Sequence, residues 1–210
     1  MPPTRTRWVA AVAAIGLAAT PAGIAWAGDG HGAHHGKRTG HGAPAPSVPP
    51  QVPNVPAPPA PEPVDAQTFV NLATQGNTFE IVSSKLALHR SDDPVVRRIA
   101  EMLIADHTTQ QGQLQTVAGE LRLDVPPLNL SPEQRAIVDA LRRLRGDAFD
   151  AAYLNAQVTA HEQAIALFIR AAGTPANPEP LRALAIASLP ILGQHLAEVR
   201  LALEHGHGAH

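Results

Sequence analysis

Five ionisable side chains lie in segments whose apolar residues recur with helical spacing. Each of the three histidines among them follows an apolar residue by three or four positions and precedes another by four or seven, which puts its imidazole on the apolar stripe of a helix. Imidazole and carboxylate groups suit divalent zinc, iron, copper or nickel, and helix bundles hold such ions in their cores. The pattern predicts a metal site whose ligands are Glu80, His107, His161 and His195, with Asp106 orienting a histidine or serving as a fifth ligand.

The same residues also allow a purely structural interpretation. Buried polar groups are generally hydrogen-bonded, so the histidines can be neutral core groups bonded to Asp106, Glu80, Tyr153 or backbone carbonyls. Counting residues from the connecting turns leaves the paired groups about 7 Å out of register along the helix axes. A shared metal site therefore requires side-chain reach or a helix kink to close this gap.

Ferroxidase chemistry is not favoured by the pattern. Di-iron sites of ferritin-like bundles use a Glu-x-x-His pair on each of two helices. Here the residues three positions before His107 and His195 are Ile104 and Leu192. Both pairs are therefore missing.

Histidines are also concentrated at the two ends of the chain, within segments rich in glycine. These tails can loosely collect copper, nickel or zinc, or they are solvated segments that bind metal only incidentally. They become cationic near pH 6, which would favour contact with acidic envelope polymers. The tail candidates are His31, His34, His35, His41, His205, His207 and His210.

The amino terminus has the pattern of a secretory signal. Arg5 and Arg7 precede an apolar run, and residues 25–27 form a small-x-small cleavage pattern ending at Ala27. We therefore predict export to the periplasm, the cell envelope or the medium. Residues 28–64, rich first in histidine and glycine and then in proline, are predicted to be a disordered, semi-rigid leader that can contact an envelope partner.

Residues 65–204 are predicted to form a ferritin-like four-helix bundle, with residues 205–210 as a tail. The long helices are predicted from Asp65 to about His89, Asp93 to about Arg122, about Asp147 to Ala172, and Asn177 to about Glu204. A short helix from Ser131 to about Arg145 lies in the connection between the second and third of these. A connection of that length favours a ferritin-like crossover over a simple up-and-down order.

Composition excludes several functional classes. The chain has no cysteine and a net charge of −2, so thiolate metal sites are impossible and binding to a phosphate backbone is not favoured. No segment after the signal is long and apolar enough to cross a bilayer. Phosphate-binding loops and serine-nucleophile elbows are absent, and the sequence assigns no reaction.

Four motifs occur in order along the helical region. They are Glu80, the Asp106-His107 pair, Phe149-Asp150-x-x-Tyr153 with His161, and Leu189-Pro190-x-Leu192-x-x-His195. Together they resemble the exported bacterial domain-of-unknown-function family 4142, which is grouped with ferritin-like folds. The resemblance covers about residues 69–201 and implies the fold and an envelope location, but no established activity. Ala160 stands where typical members have an aspartate, so any role of that residue does not transfer.

The preferred hypothesis is divalent metal binding in the bacterial cell envelope. The alternative is a non-enzymatic structural or interaction module whose buried histidines only stabilise the core. An oxidase or peroxide-handling enzyme is a third hypothesis, testable by oxygen consumption with ferrous iron.

Overall fold

The computed structural model describes residues 62–206, which form five helices and no strand. The predicted all-α class is confirmed. None of the helices in this range has the length and hydropathy needed to cross a membrane. The predicted signal segment and nearly all of the leader lie outside the described residues. The helices are α1 (Ala66–Arg90), α2 (Pro94–Glu120), α3 (Pro132–Leu141), α4 (Gly146–Gly173) and α5 (Glu179–Gly206).

Side-chain caps begin the first three helices where the sequence predicted them. The carboxylate of Asp65 accepts a hydrogen bond from the backbone N–H of Thr68, and Asp93 accepts from two backbone N–H groups at the start of α2. Ser131 and Gln134 form a reciprocal capping box on α3. Each cap satisfies donors that a helix leaves unpaired in its first turn.

Two apolar clusters define how the helices run. One cluster joins the starts of α1 and α5 to the ends of α2 and α4, and the other joins the opposite ends of the same four helices. The connection between α2 and α4 therefore runs the length of the bundle, and α3 lies within it. This is the predicted ferritin-like crossover, which is confirmed.

A layer of polar side chains separates these clusters in the middle of the bundle. All four long helices contribute to it, and its members are at least nine-tenths buried. Burying a polar group without a partner costs free energy, so this layer is not explained by the stability of an apolar core. Its main members are Asn77, Glu80, Ser83, Ser84, His107, Gln110, Gln111, Gln157, His161, Ser188 and His195.

The folded region begins slightly before the predicted boundary. Val64 is 3% exposed and belongs to the first apolar cluster. Its backbone N–H donates to Thr174 Oγ1 over 3.2 Å, and its carbonyl accepts from Asn177 Nδ2 over 2.9 Å. The end of the leader is thus fixed to the turn between α4 and α5.

Candidate metal centre

Three histidines from three helices meet in the polar layer. His107 on α2, His161 on α4 and His195 on α5 have ring centroids 5.4–5.5 Å apart. Each is no more than 2% exposed. One ligand nitrogen from each ring lies within 4.8 Å of the other two. Within residues 62–206 this is the group that can hold a metal ion.

Each of these rings has one nitrogen hydrogen-bonded to an oxygen. His107 Nδ1 donates to Asn77 Oδ1 over 3.1 Å, and His161 Nδ1 donates to its own helix at the carbonyl of Gln157 over 2.9 Å. His195 Nε2 donates to a carboxylate oxygen, Oδ2 of Asp106, over 2.9 Å; these three oxygens are acceptors. The hydrogen bonds therefore fix the tautomer of every ring.

The other nitrogen of each ring has no hydrogen-bond partner. These nitrogens are His107 Nε2, His161 Nε2 and His195 Nδ1, and all three are buried. A neutral imidazole that is protonated at its hydrogen-bonded nitrogen carries a lone pair on the other nitrogen. One ligand nitrogen from each ring lies no more than 4.8 Å from the other two. Three nitrogens at that spacing can all lie within about 2.8 Å of one point, so shifts below about 1 Å would bring them to a metal–imidazole distance near 2 Å.

The amide of Asn77 has a defined orientation. Its Nδ2 donates to Gln111 Oε1 over 3.1 Å, so its oxygen faces His107. Exchanging the amide oxygen and nitrogen would set the Asn77 oxygen against Gln111 Oε1, which are two acceptors, and the Asn77 NH2 against the imidazole N–H, which are two donors. With Gln111 Oε1 as the acceptor from Asn77 Nδ2, His107 Nδ1 is the donor to Asn77 Oδ1.

Burial keeps His107 and His161 neutral at ordinary pH. Desolvation is the largest of the causes that lower the pKa of His107 to about 3. The neighbouring His161 and His195 also lower it, and the Gln110 side chain opposes them. Desolvation likewise lowers the pKa of His161 to about 4, opposed by the hydrogen bond to the Gln157 carbonyl. Neutral imidazole is the form that binds metal ions, so no proton has to leave these two rings.

Glu80 lies beside the three histidines and not among the converging nitrogens. Its Oε1 is 3.5 Å from His161 Nδ1, the nitrogen already bonded to the Gln157 carbonyl. Its Oε2 is buried without a hydrogen-bond partner. Burial raises the pKa of this carboxyl group well above its usual range. Its position is that of a neighbouring acid at the edge of the site, and its role as a ligand stays a prediction.

Asp106 accepts a hydrogen bond from Nε2 of His195 and does not contact its unpartnered Nδ1. Its side chain is 48% exposed, whereas that of His195 is 3% exposed. The two roles predicted for Asp106, orienting a histidine or serving as a fifth ligand, both stay predictions. Tyr153, the other partner considered for a histidine, instead shares a 2.9 Å hydrogen bond with Ser84.

The tail candidates are not part of this centre in the described range. His205 is exposed near the end of α5, where its Nδ1 donates to the Leu201 carbonyl over 2.8 Å. It follows His195 by ten residues, which is about 15 Å along a helix. The other tail candidates, His31, His34, His35, His41, His207 and His210, lie outside the described residues.

Sequence reasoning missed the neutral partners of the histidines. Asn77, Gln111 and Gln157 are buried in the polar layer. Gln157 also donates from Nε2 to Ser83 Oγ over 2.9 Å. Their spacing was the available signal, because each lies three or four residues from Glu80, His107 or His161 on the same helix.

Comparisons with known proteins agree with this architecture. The solved structure of CopM in the Cu(II)-bound form matches with a TM-score of 0.58, covering 69% of this chain and 99% of that chain at 14% sequence identity. At this identity the likeness shows the fold alone. A search of curated proteins gave no match. The model of the family described as "Domain of unknown function (DUF4142)" matches residues 51–201, and the chain belongs to that family.

Proposed function

We propose that this domain binds one divalent transition-metal ion, with copper(II) as the preferred ion, in the bacterial cell envelope. The ligands are His107 Nε2, His161 Nε2 and His195 Nδ1. The observation that carries this proposal is the set of three buried, unpartnered nitrogens that three oxygen acceptors orient within one small region. A core designed only for stability would not retain three unpaired polar atoms at one point.

The donor set favours copper among the candidate metals. Three imidazole nitrogens suit copper, zinc and nickel, and the chain has no thiolate. For a given nitrogen site, affinity among divalent first-row ions is highest for copper(II). The similarity in fold to CopM in its Cu(II)-bound form supports the same choice.

The hydrogen-bonded partners would tune the affinity of the site. Asp106 is a carboxylate whose bond to His195 would increase the basicity of the opposite nitrogen, as carboxylates do behind metal-bound histidines. Asn77 and the carbonyl of Gln157 would hold the other two rings in their metal-binding orientation. Glu80 places a carboxyl group next to the centre, where it can offset part of the ion's charge.

Export is supported by the sequence before the bundle. The basic start, the apolar run and the cleavage pattern ending at Ala27 are typical of a secretory signal. The histidine-rich segment that follows would then be exposed in the envelope, where it can collect the same ions weakly.

The test is copper binding to the full-length mature chain, made without an affinity His tag. One variant replaces the seven tail histidines by serine and keeps the three internal ones. A second replaces His107, His161 and His195 by glutamine and keeps the tails. We expect the first variant to bind one equivalent of copper(II) tightly by calorimetric titration.

The second variant separates the competing functions. It should lose the tight equivalent and retain only weak binding. Circular dichroism must show that it still folds. If the tail-replaced variant binds no metal while the internal variant is merely less stable, the structural alternative is correct and the metal proposal is not.

A further inference from the structure

An open groove connects the protein surface to the candidate metal centre. It lies between α1 and α4, has a cavity volume of about 660 Å³, and is also lined by side chains of α2 and α3. Its lining includes Glu80 and His107, which are 2% exposed. It also includes Leu72, which is 42% exposed. The groove therefore runs from solvent to one of the three histidines.

Small residues keep the groove open. Gly76 on α1 and Ala156 and Ala160 on α4 form part of its walls. A Cβ atom added to Gly76 would meet no atom within 4 Å. The space beside this glycine is therefore large enough for a side chain, although none fills it.

Few ionisable side chains line the groove. Its ionisable lining residues in the described range are Glu80, His107 and Arg170. The remaining polar lining residues are neutral amides and one threonine. A small neutral ligand or a small anion can enter such a groove without meeting a row of carboxylates.

We propose that this groove gives an exogenous small ligand, water or a small anion, access to an open coordination position on the metal ion. This inference rests on the proposed metal-binding function. Three imidazoles leave at least one position free on a four-coordinate ion. The groove reaches the centre at His107, so a ligand bound at the free position would enter from the space between α1 and α4.

The probe is sodium azide, a small anion that gives copper(II) a characteristic charge-transfer absorption when it coordinates. Azide is titrated into the tail-replaced full-length variant loaded with one equivalent of copper(II). We expect a saturable new absorption band. The rate at which excess chelator removes the copper is measured on the same sample.

Gly76→Leu tests the route itself. Leucine has a better helix propensity than glycine, and the space beside Gly76 is free, so the variant should fold. It should bind azide at least about tenfold more weakly and release copper more slowly. Gly112→Leu is the matched control, because Gly112 is an exposed glycine on α2 that also has free space beside it and does not line the groove.

The outcomes separate this inference from the proposed function. Copper bound by the three histidines with no response to azide overturns the groove proposal and leaves metal binding intact. Equal azide affinity in Gly76→Leu and Gly112→Leu also overturns it. Absence of tight copper binding overturns both. Gly76→Ala fills less of the same space. If the groove causes either effect, the azide affinity and the copper-release rate of this variant should lie between those of the parent and those of Gly76→Leu.

Discussion

The metal-free protein should lose stability when the pH falls from 7 to 5, because two histidines are held neutral in the core. The pKa of His107 is lowered to about 3 and that of His161 to about 4, from an ordinary value of 6.5. Below pH 6.5 the unfolded chain therefore binds protons that the folded chain does not. The stability from these groups is complete above this value and is lost as the pH falls toward the folded pKa.

The size of the effect follows from the two shifts. Between pH 7 and pH 5 the unfolded imidazoles become almost fully protonated, whereas the folded rings stay mostly neutral. Each pKa unit corresponds to about 1.4 kcal/mol, so each histidine should lower the free energy of unfolding by about 2 kcal/mol over this range. The combined loss of about 4 kcal/mol is a large part of a typical domain stability.

The assay is urea denaturation of the chelator-treated protein at both pH values, compared with a His107→Gln, His161→Gln variant. The variant is needed because Glu80 acts in the opposite direction. Burial raises its pKa, so its contribution is lost as the pH rises above about 4.5. Because Glu80 is present in both proteins, the difference between them isolates the histidines.

The exposed His89 provides a matched control. His89→Gln should lose as much stability as the parent between pH 7 and pH 5. The double variant should lose about 4 kcal/mol less than either. Equal pH dependence in the parent and the double variant would refute the reasoning, since it would mean that these imidazoles are solvated in the folded state.

Three further changes have defined outcomes. Asp106→Ala should weaken copper binding by about tenfold in calorimetric titration. This is the lower end of the loss of affinity expected when a hydrogen-bond partner of a metal-bound histidine is removed, because the Asp106 carboxylate is half-exposed. Glu80→Gln should change the metal-free stability at pH 5 by no more than about 1 kcal/mol in urea denaturation, since burial already keeps the acid neutral. Leu103→Ala should lower the free energy of unfolding by about 3 kcal/mol in the same assay, because Leu103 is fully buried one turn before His107.

Each of these predictions has a control variant or an outcome that would contradict it. Glu101→Ala removes an exposed carboxylate from the same helix as Asp106, and equal copper affinity in both variants would contradict the orienting role. A loss of several kcal/mol in Glu80→Gln would show that Glu80 is ionised and bonded in the core. Ile186→Ala is the control for Leu103→Ala. Ile186 is 56% exposed, so the free energy of unfolding of this variant should be within about 0.5 kcal/mol of the parent. Similar losses in Ile186→Ala and Leu103→Ala would contradict the assigned core.

Local signals in the sequence were sufficient to predict the helices. Asp65, Asp93 and the Ser131–Gln134 box lie where the helices begin, because capping depends on neighbouring residues alone. The end of α3 was less well predicted. It lies at Leu141 and not near Arg145, because a turn at residues 142–143 precedes α4.

The convergence of the histidines could not be predicted from residue counting. The count treated side chains as perpendicular to their helices, whereas Cα–Cβ bonds tilt toward the helix amino terminus. His161 therefore points away from the turn between α4 and α5, and His195 points toward it. The two tilts act in the same sense and reduce the apparent offset, so the rings of His161 and His195 lie 5.4 Å apart.

The asymmetry of the free nitrogens also depends on tertiary contacts. His195 is bonded through Nε2 to Asp106, whereas the other two rings are bonded through Nδ1. Sequence spacing placed the three imidazoles on core-facing stripes but contained no information on which nitrogen each would present. That choice is made by partners on other helices and by the local carbonyl of Gln157.

The most direct test of the central claim is a crystal structure of the copper-loaded full-length protein with anomalous diffraction measured at the copper absorption edge. The account predicts one strong peak in the polar layer, about 2 Å from His107 Nε2, His161 Nε2 and His195 Nδ1. Coordination through the opposite ring nitrogens, or copper found only at the tail histidines with the three core rings unchanged, would contradict it.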